Sequence, residues 1–337
     1  MFAQSLARPL PCCVAPSTVS FHTCAAFTTR RPLRQNGCAS MERSQWLVLC
    51  RTLREACRIE GPLPRARYLD YLILRLYFWA AHHERPMTWA LEEAHYSRLF
   101  RPRKRPSISQ LNRRIAGERF QRLLGHVHRA LSGIDGSPTT TLYLDGKPLP
   151  VSAVSGDRDA RPSNIARGYK LHAIVSADRR IPVFSVMPLN RHEMPVARAM
   201  LDHLSLSPGT IVMADGNYDA HVLHKDIHAR GGFLITKPRR GGARRRERGN
   251  RGHAVTRRQM GPARRQLIDL WEQHPQLMRR VYRERTRIER VFGHLTCTPG
   301  LLGPLPAFIR GLARVRRWVG AKICLYHARQ TARKLNA

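Results

Sequence analysis

The sequence has few acidic residues for its length. It contains 23 Asp and Glu against 59 Lys and Arg among 337 residues, so its formal net charge is +36 and its pI is near 11.5. A charge of this size says little about the fold, but it indicates a polyanionic partner. We therefore expect the chain to bind nucleic acid, with an anionic membrane surface as the alternative.

Long apolar runs and paired cysteine motifs are also missing. The longest apolar run, LDYLILRLYFWAA, is interrupted by Arg75 and is too short to span a bilayer. None of the eight cysteines forms a CxxC pair, and no second half-site follows His294 and Cys297, which could share a helix face. The sequence therefore does not predict a cysteine-based zinc site, and we expect reduced thiols in a cytoplasmic protein.

The first 40 residues differ in composition from the rest. They contain four arginines, no Asp or Glu and half of the cysteines, as a transit peptide can, but they show no amphipathic helix or long apolar segment. We expect residues 1–40 to be disordered, as a dispensable leader or a wrongly assigned start. The folded protein is then expected to begin at Met41.

Residues 41–132 have the periodicity of an all-helical domain. Its last two predicted helices, TWALEEAHYSRLF and SISQLNRRIAGERFQRLLGHVHRAL, flank the basic turn RPRKRP. They could form a helix-turn-helix whose second helix places Asn112, Arg113 and Arg114 in a major groove. An ordinary helical bundle with a solvated basic loop explains the same pattern, and both interpretations stay open.

From Thr139 the pattern changes to the period of strands. It predicts three strands, a helix, a strand, a helix and a last strand, in TTTLYLD, GYKLHAIVS, IPVFSVMPL, EMPVARAMLDHL, GTIVMAD, DAHVLHKDIHARG and GFLIT. The first and fourth strands are expected to end at Asp145 and Asp215, and Asp219 is the expected cap of the second helix. This order predicts an α/β fold with a mixed sheet flanked by helices.

Two basic segments follow the last strand. An insertion at residues 238–262 contains the run PRRGGARRRERGNRGHAVTRR, with nine arginines and one glutamate, and is expected to be a mobile loop. The insertion could follow a DNA backbone or could remain a solvated tract, and its charge favours the first interpretation. Residues 298–337 are predicted to form a basic C-terminal segment with one long amphipathic helix, whose apolar stripe runs from Phe308 to Ile323.

Three acids occupy positions suited to metal binding. The carboxyl ends of neighbouring parallel strands meet, so Asp145 and Asp215 can converge, and Glu289 lies in a predicted helix, VYRERTRIERVFGHL, beside them. Carboxylates are the ligands that Mg²⁺ prefers, and two such ions can activate water and stabilise the leaving oxygen of a phosphodiester. Taken singly, each aspartate also fits a turn, and Glu289 also fits an ion pair with Arg285.

The combination resembles the insertion-sequence transposases that have an RNase H-like core and a DDE triad. Their third acid lies in a Tyr-x2-Arg-x3-Glu-x6-Lys signature, which Tyr282, Arg285 and Glu289 match, whereas Thr296 stands at the lysine position. The segments ADGNYDA, GYKLH, NRHE and LDGKPLPV are also similar to this family. The resemblance covers residues 139–297.

The resemblance implies an RNase H-like catalytic domain that cleaves DNA at terminal inverted repeats and transfers the cut strand. Asp145, Asp215 and Glu289 would be the catalytic ligands of Mg²⁺ or Mn²⁺, with two ions bound, whereas Glu284 would form a structural ion pair. The residues expected to contact DNA are Tyr282, Arg285, Arg290, Arg113, Arg114, Arg244, Arg245 and Arg246. The expected partners are double-stranded DNA, as element ends and as target, and further copies of the chain in a homo-oligomer on DNA. The expected location is the cytoplasm, in association with the nucleoid.

Three other functions fit parts of the pattern. A transposase-derived repressor would bind DNA without cutting it, and an RNase H-like nuclease of another specificity would share the metal site. A membrane-surface protein would prefer lipid to DNA at the same salt concentration. Divalent-metal-dependent nicking of DNA with the correct ends separates the transposase from the silent DNA-binding protein.

Overall fold

A computed structural model describes residues 35–133, 140–152, 154–238, 261–298 and 301–336. Residues 1–34 of the predicted leader and the insertion arginines Arg244, Arg245 and Arg246 lie outside the described residues. Helix α1, Gln35–Glu60, begins before Met41. A chain that starts at Met41 would therefore lack the first residues of this helix.

The N-terminal part is helical, as the sequence predicts. Helix α1 is followed by α2 (Asp70–His82), α3 (Ile108–Ala116) and α4 (Glu118–Ser132). Ser107 caps α3 through its hydroxyl, which accepts from the Gln110 amide at 3.2 Å, and the Gln110 side chain reciprocates. This is a capping box, and it explains why α3 begins directly after the basic turn.

The prediction of an α-helix over TWALEEAHYSRLF is wrong. The segment contains two short 3-10 turns, Trp89–Leu91 and Glu93–His95, because the residue between them is extended. The rings of Trp89 and His95 stack at 4.5 Å and fold the segment onto itself. The following predicted helix divides at Gly117, whose extended backbone separates α3 from α4. The two segments that could have formed a helix-turn-helix are thus divided differently from the helices that the sequence predicted.

Within the described residues, the sheet has six strands. They are β1 (Thr141–Pro150), β2 (Arg161–Pro162), β3 (Arg167–Ser176), β4 (Val183–Pro188), β5 (Ile211–Ala214) and β6 (Phe233–Ile235). Strands β4, β3 and β1 are antiparallel neighbours, β1, β5 and β6 are parallel neighbours, and the short β2 pairs with the start of β3. Helix α5 (Glu193–Leu201) precedes β5, and α6 (His221–Ala229) precedes β6. This order confirms the predicted mixed, RNase H-like sheet.

Strand β1 is longer than the sequence predicts. Its expected end is Asp145, but the strand continues to Pro150 and pairs with β3 over that whole length. Strand β5 pairs only with the first part of β1, and the last parallel pair is Leu144 with Ala214. Asp145 therefore lies inside β1, at the point where its parallel neighbour has ended.

Four further helices follow β6 in the part of the chain that the structure describes. They are α7 (Pro262–Gln273), α8 (Pro275–Arg283), α9 (Thr286–Cys297) and α10 (Leu312–Leu335). The predicted single helix around Glu289 is thus two helices, with Glu284 and Arg285 between them. The residues of the transposase-like signature are divided between α8, this junction and α9.

The sequence predicted an amphipathic C-terminal helix, but α10 is more buried than such a helix would be. Every residue from Trp318 to Ala328 is buried, whereas Phe308, expected in its apolar stripe, precedes the helix and is exposed. Helix α10 packs against α1, α2 and α4 and also against β4. A helix enclosed on all sides belongs to the core, so the N-terminal helices, α10 and one face of the sheet share one hydrophobic cluster.

Helices α5 and α6 pack with the opposite face of the sheet in a second cluster. In none of the described ranges is there a helix with the length and apolarity needed to cross a membrane.

Candidate active site

Asp145 and Asp215 lie side by side on adjacent parallel strands. Asp145 follows Leu144 in β1, and Asp215 follows Ala214 at the end of β5. Leu144 and Ala214 are partners in the parallel register. Each aspartate is therefore one residue beyond the same pair, and the convergence predicted from the sequence arises from the strand register.

Backbone amides orient both aspartates. The amide of Gly146 donates to Asp145 Oδ1 at 2.7 Å, and the amide of Gly216 donates to Asp215 Oδ1 at 2.5 Å. The side-chain amide of Asn217 also donates to Asp215 Oδ2 at 3.2 Å. Such bonds hold a carboxylate in one orientation, as a metal ligand requires.

Arg285 connects Asp145 to Glu289. Its Nη2 donates to Glu289 Oε1 at 2.6 Å, and its Nη1 lies 3.5 Å from Asp145 Oδ2. The Glu289 side chain is 52% exposed and that of Asp145 is 22% exposed, so the pair extends from the sheet edge toward solvent. The structure thus brings the third acid to the site through a guanidinium that the sequence had assigned to DNA.

The carboxylates at this edge of the sheet repel one another. Burial raises the pKa of Asp145 to about 6, and the charges of Asp215 and Glu193 contribute to the rise. The Gly146 amide and the Arg285 guanidinium oppose this increase. Desolvation and like charge both penalise the ionised carboxylate, and a bound cation would relieve both.

The donor set fits a hard divalent ion. Carboxylate oxygens suit Mg²⁺ or Mn²⁺, and Asp145 and Asp215 already converge. Among the described residues, however, the oxygens of these two acids and of Glu289 do not all lie within 4.8 Å of one another. Because Arg285 contacts both Asp145 and Glu289, its guanidinium must move before all three acids can share ions.

Tyr282 supports the site from α8. Its hydroxyl donates to the carbonyl of Ala214 at 3.2 Å, directly before Asp215. Its ring lies 5.7 Å from the guanidinium carbon of Arg285, and the edge of the Trp271 ring packs on it at 5.9 Å. The hydroxyl expected to contact DNA is therefore bonded within the protein, where it positions the end of β5.

The other arginines expected to contact DNA differ in their surroundings. Arg290 on α9 and Arg113 on α3 are exposed. Arg114 instead donates to Asp70 Oδ1 at 2.5 Å and to the Tyr68 carbonyl at 3.1 Å, and so holds α3 against the start of α2. The prediction that Arg114 reads DNA conflicts with this geometry, because its guanidinium already has two partners inside the protein.

Two residues near Glu289 make contacts within the protein. Glu284 forms the structural ion pair expected of it, with Oε2 2.5 Å from Arg287 Nε. The hydroxyl of Thr296 donates to the Phe292 carbonyl at 2.8 Å. At the position of the family's lysine, this chain thus has a hydroxyl directed at its own helix.

A further ion pair lies beside the acids and was not predicted. Lys170 Nζ lies 2.6 Å from Glu193 Oε1, which joins the GYKLH and NRHE segments. A Cβ on Gly146 would lie only 2.9 Å from Lys170 Cδ, so glycine leaves room for this lysine. The sequence signal that could have indicated this ion pair was the co-occurrence of the motifs LDGK, GYKLH and NRHE, whose residues meet here.

Asp219 does not cap α6, which is a correction to the sequence prediction. The residue before this helix is Ala220, which makes no side-chain cap. The fully buried Asp219 carboxylate accepts two hydrogen bonds from Arg264, from Nε at 2.9 Å and from Nη2 at 2.8 Å. It also lies 3.1 Å from His224 Nε2. This two-point pair fixes the loop after Asp215 to α7.

Fold and site together define a class of protein. The sheet is RNase H-like, two aspartates meet on its central strands, and a helix brings a glutamate to them through an arginine. This arrangement is the one that the sequence resemblance to DDE transposases implies.

Comparison with known proteins identifies the family. The model of the family described as "Transposase DDE domain" matches residues 137–301, so this segment is similar to the catalytic domain of DDE transposases. A cryo-EM structure of a piggyBac transposase synaptic complex with hairpin DNA aligns with 88% of this chain and 78% of its own, at a TM-score of 0.36 and 8% identity. No curated protein matches the chain significantly. The family match confirms the resemblance drawn from the sequence motifs.

Proposed function

We propose that this protein is the transposase of a bacterial-type insertion sequence, which cleaves DNA at terminal inverted repeats and transfers the cut strand. The observation that carries the proposal is the shared register position of Asp145 and Asp215, with Glu289 joined to Asp145 by Arg285. The transposase family supports double-stranded DNA as the substrate, and the net charge of +36 supports a polyanionic partner.

Asp145, Asp215 and Glu289 would hold Mg²⁺ or Mn²⁺. Two ions bound there would activate a water and stabilise the leaving oxygen of the DNA backbone. The chain itself supplies orientation: the Gly146 and Gly216 amides fix the two aspartates. Tyr282 fixes the end of β5 by its bond to the Ala214 carbonyl.

Arg285 has two roles in this proposal. Before DNA binds, its guanidinium balances the charges of Asp145 and Glu289. During the reaction it transfers to a phosphate of the DNA end, for which a planar, permanently charged group is well suited. The same side chain would then couple ion binding to DNA binding.

Exposed arginines would provide the remaining phosphate contacts. Arg290 lies on the helix of Glu289, and Arg113 lies on α3. Arg244, Arg245 and Arg246 of the insertion would add contacts without reading sequence. Strand transfer involves two element ends and a target, so we propose that a homo-oligomer assembles on DNA.

Substitution of each acid tests the assignment. Asp145→Asn, Asp215→Asn and Glu289→Gln are expected to abolish Mg²⁺-dependent cleavage of DNA carrying the native terminal repeats, while binding of the same DNA is retained. Glu284→Gln is the matched control, because this acid pairs with Arg287 outside the site.

Two results would contradict the proposal. Cleavage by Glu289→Gln would remove Glu289 from the site, and loss of cleavage in Glu284→Gln would shift the triad along the chain. A wild-type protein that binds the ends without nicking them in Mg²⁺ or Mn²⁺ would instead be the silent, transposase-derived repressor.

A further inference from the structure

A second convergence of ligand groups lies in the N-terminal helices. Glu42 belongs to α1, His82 is the last residue of α2, and His83 follows it. One potential ligand atom from each side chain lies within 4.8 Å of the other two, and His82 Nε2 is 3.1 Å from Glu42 Oε1. Within the described residues, this is the one set of three His, Cys, Asp or Glu side chains that converges so closely.

The imidazole of His83 is held by packing against aromatic rings. The ring of His83 lies 4.2 Å from that of Trp79 and 5.1 Å from that of Trp89. His83 Nε2 and His82 Nδ1 are buried and have no hydrogen-bond partner. A buried nitrogen without a partner is costly, and a metal ion is a partner that His83 Nε2 could bind.

The surrounding charges are compatible with a cation. A carboxylate and neutral imidazoles are the forms of these side chains that bind metals. Lys322 and Arg85 bring positive charge toward His83, but Lys322 Nζ is paired with Glu84 Oε1 at 3.2 Å.

We propose that Glu42, His82 and His83 form a structural zinc site that fastens α1 to the end of α2, with a water as fourth ligand. Two imidazoles and one carboxylate suit Zn²⁺, whereas Mg²⁺ prefers oxygen ligands such as the catalytic acids. One turn after Glu42, the Gln45 side chain donates to the Leu325 carbonyl of α10 at 3.1 Å. The metal would thus brace α1 where it supports the buried C-terminal helix.

The chain offers a matched control at the other end of α1. His126 Nε2 lies 3.3 Å from Glu60 Oε2, so this pair also joins α1 to a neighbouring helix. The remaining partners of Glu60 are Arg119 and Arg122 rather than a second histidine. His126→Ala therefore removes a similar contact without removing a zinc ligand.

The test measures zinc bound to the full chain. Protein stripped with a chelator is loaded with Zn²⁺ in excess Mg²⁺, which occupies the catalytic acids, and is then desalted. Wild type and His126→Ala should retain about one more zinc per chain than His82→Ala or His83→Ala. Glu42→Gln should weaken zinc binding at least about tenfold, because even the hydrogen-bonded partners of metal ligands are worth that much.

Cobalt and heat supply independent measurements. Co²⁺ should give the strong visible absorption of a four-coordinate site in wild type and His126→Ala but not in His82→Ala. Zinc should raise the melting temperature of the same two proteins only. Because Glu42→Gln preserves side-chain volume, it tests the zinc site even if a histidine variant fails to fold. Equal zinc content and equal melting shifts in wild type and Glu42→Gln would overturn the proposal, whatever the outcome for DNA cleavage.

Discussion

The guanidinium of Arg285 occupies the negative potential that a divalent ion would occupy. It contacts Asp145 and Glu289 at once, and both contacts involve groups that remain partly exposed to water. Arginine and metal therefore compete for the same carboxylates. At the scale of single residues, the proposed function therefore makes both ion affinity and DNA affinity depend on one side chain.

Replacing Arg285 should separate the two effects. In Arg285→Gln the acids lose their internal counter-charge, so half-maximal cleavage should need about 2- to 5-fold less Mg²⁺, as expected for a partly exposed ion pair. Cleavage at saturating Mg²⁺ should fall, because the DNA end loses a charged contact. The measurement is cleavage rate against Mg²⁺ concentration. Arg287→Gln, which loses only its pair with Glu284, should leave both quantities unchanged.

Lys322 is a buried charge whose cost depends on pH. Its side chain is fully buried on α10, with Nζ 5.0 Å from the Trp318 ring, and burial lowers its pKa from 10.5 to about 8. Between these values the unfolded chain binds more protons than the folded one. The contribution of Lys322 to stability therefore increases as pH rises from about 8 to 10.5 and is constant below pH 8.

The gain in stability from Lys322→Met should consequently be largest at neutral pH. We expect its stability relative to wild type to be higher at pH 7 than at pH 10.5, by on the order of 2–3 kcal/mol. Urea unfolding at both pH values in a chelator measures this difference without a contribution from zinc. Lys334→Met, at the exposed end of the same helix, should show no such change. A difference for Lys322→Met that stays constant with pH would contradict the prediction.

At the scale of the elements, Asp70 at the start of α2 connects this helix to both α3 and α4. It accepts from Arg114 of α3 at 2.5 Å and from Arg119 of α4 at 2.9 Å. An acid in the first turn also interacts favourably with the helix dipole. The sequence predicted one DNA-reading role for two neighbouring arginines, whereas on α3 Arg113 is exposed and Arg114 is bonded to Asp70.

Arg113 and Arg114 should therefore respond differently to substitution. Arg114→Ala should reduce the free energy of unfolding by about 1–3 kcal/mol, because Asp70 loses a charged hydrogen bond in a partly buried place. Arg113→Ala should change stability by less than about 0.5 kcal/mol but should weaken DNA binding. Urea unfolding and DNA titration of both variants test this. A stable Arg114→Ala with selectively impaired DNA binding would show that Arg114 reads DNA after all.

At the scale of the whole molecule, charge and core are organised differently. The net charge of +36 is distributed over the chain, including the insertion, and it should govern DNA affinity at long range. The core instead joins parts that the sequence suggested were separate, because α10 lies between the N-terminal helices and β4.

The insertion arginines should contribute affinity without specificity. Replacing Arg244, Arg245 and Arg246 with Gln should reduce the slope of log affinity against log salt by roughly 0.9 for each lost phosphate contact. The loss should be the same for DNA carrying the terminal repeats and for random DNA. Binding titrations at several salt concentrations on both DNAs provide the test. An unchanged slope with weaker discrimination between the two DNAs would argue for base contacts instead.

The succession of strands and helices along the chain and the resemblance to a family could be predicted from the sequence. Runs of apolar and strand-forming residues are a local property, so β1, β3, β4, β5 and β6 could be predicted without knowledge of their partners. The spacing of Tyr282, Arg285 and Glu289 is also local, and it identified the transposase family that the comparison confirms. The two-residue strand β2 was too short to show a period.

Only the tertiary structure decided what these side chains contact. Asp145 and Arg285 are 140 residues apart in the chain, and Glu42 and His82 are 40 apart, so no local pattern relates them. The burial of α10 likewise depends on helices and strands that come from the other end of the chain. Periodicity reports which face of an element is apolar, but the partner of that face is chosen by packing of the complete core.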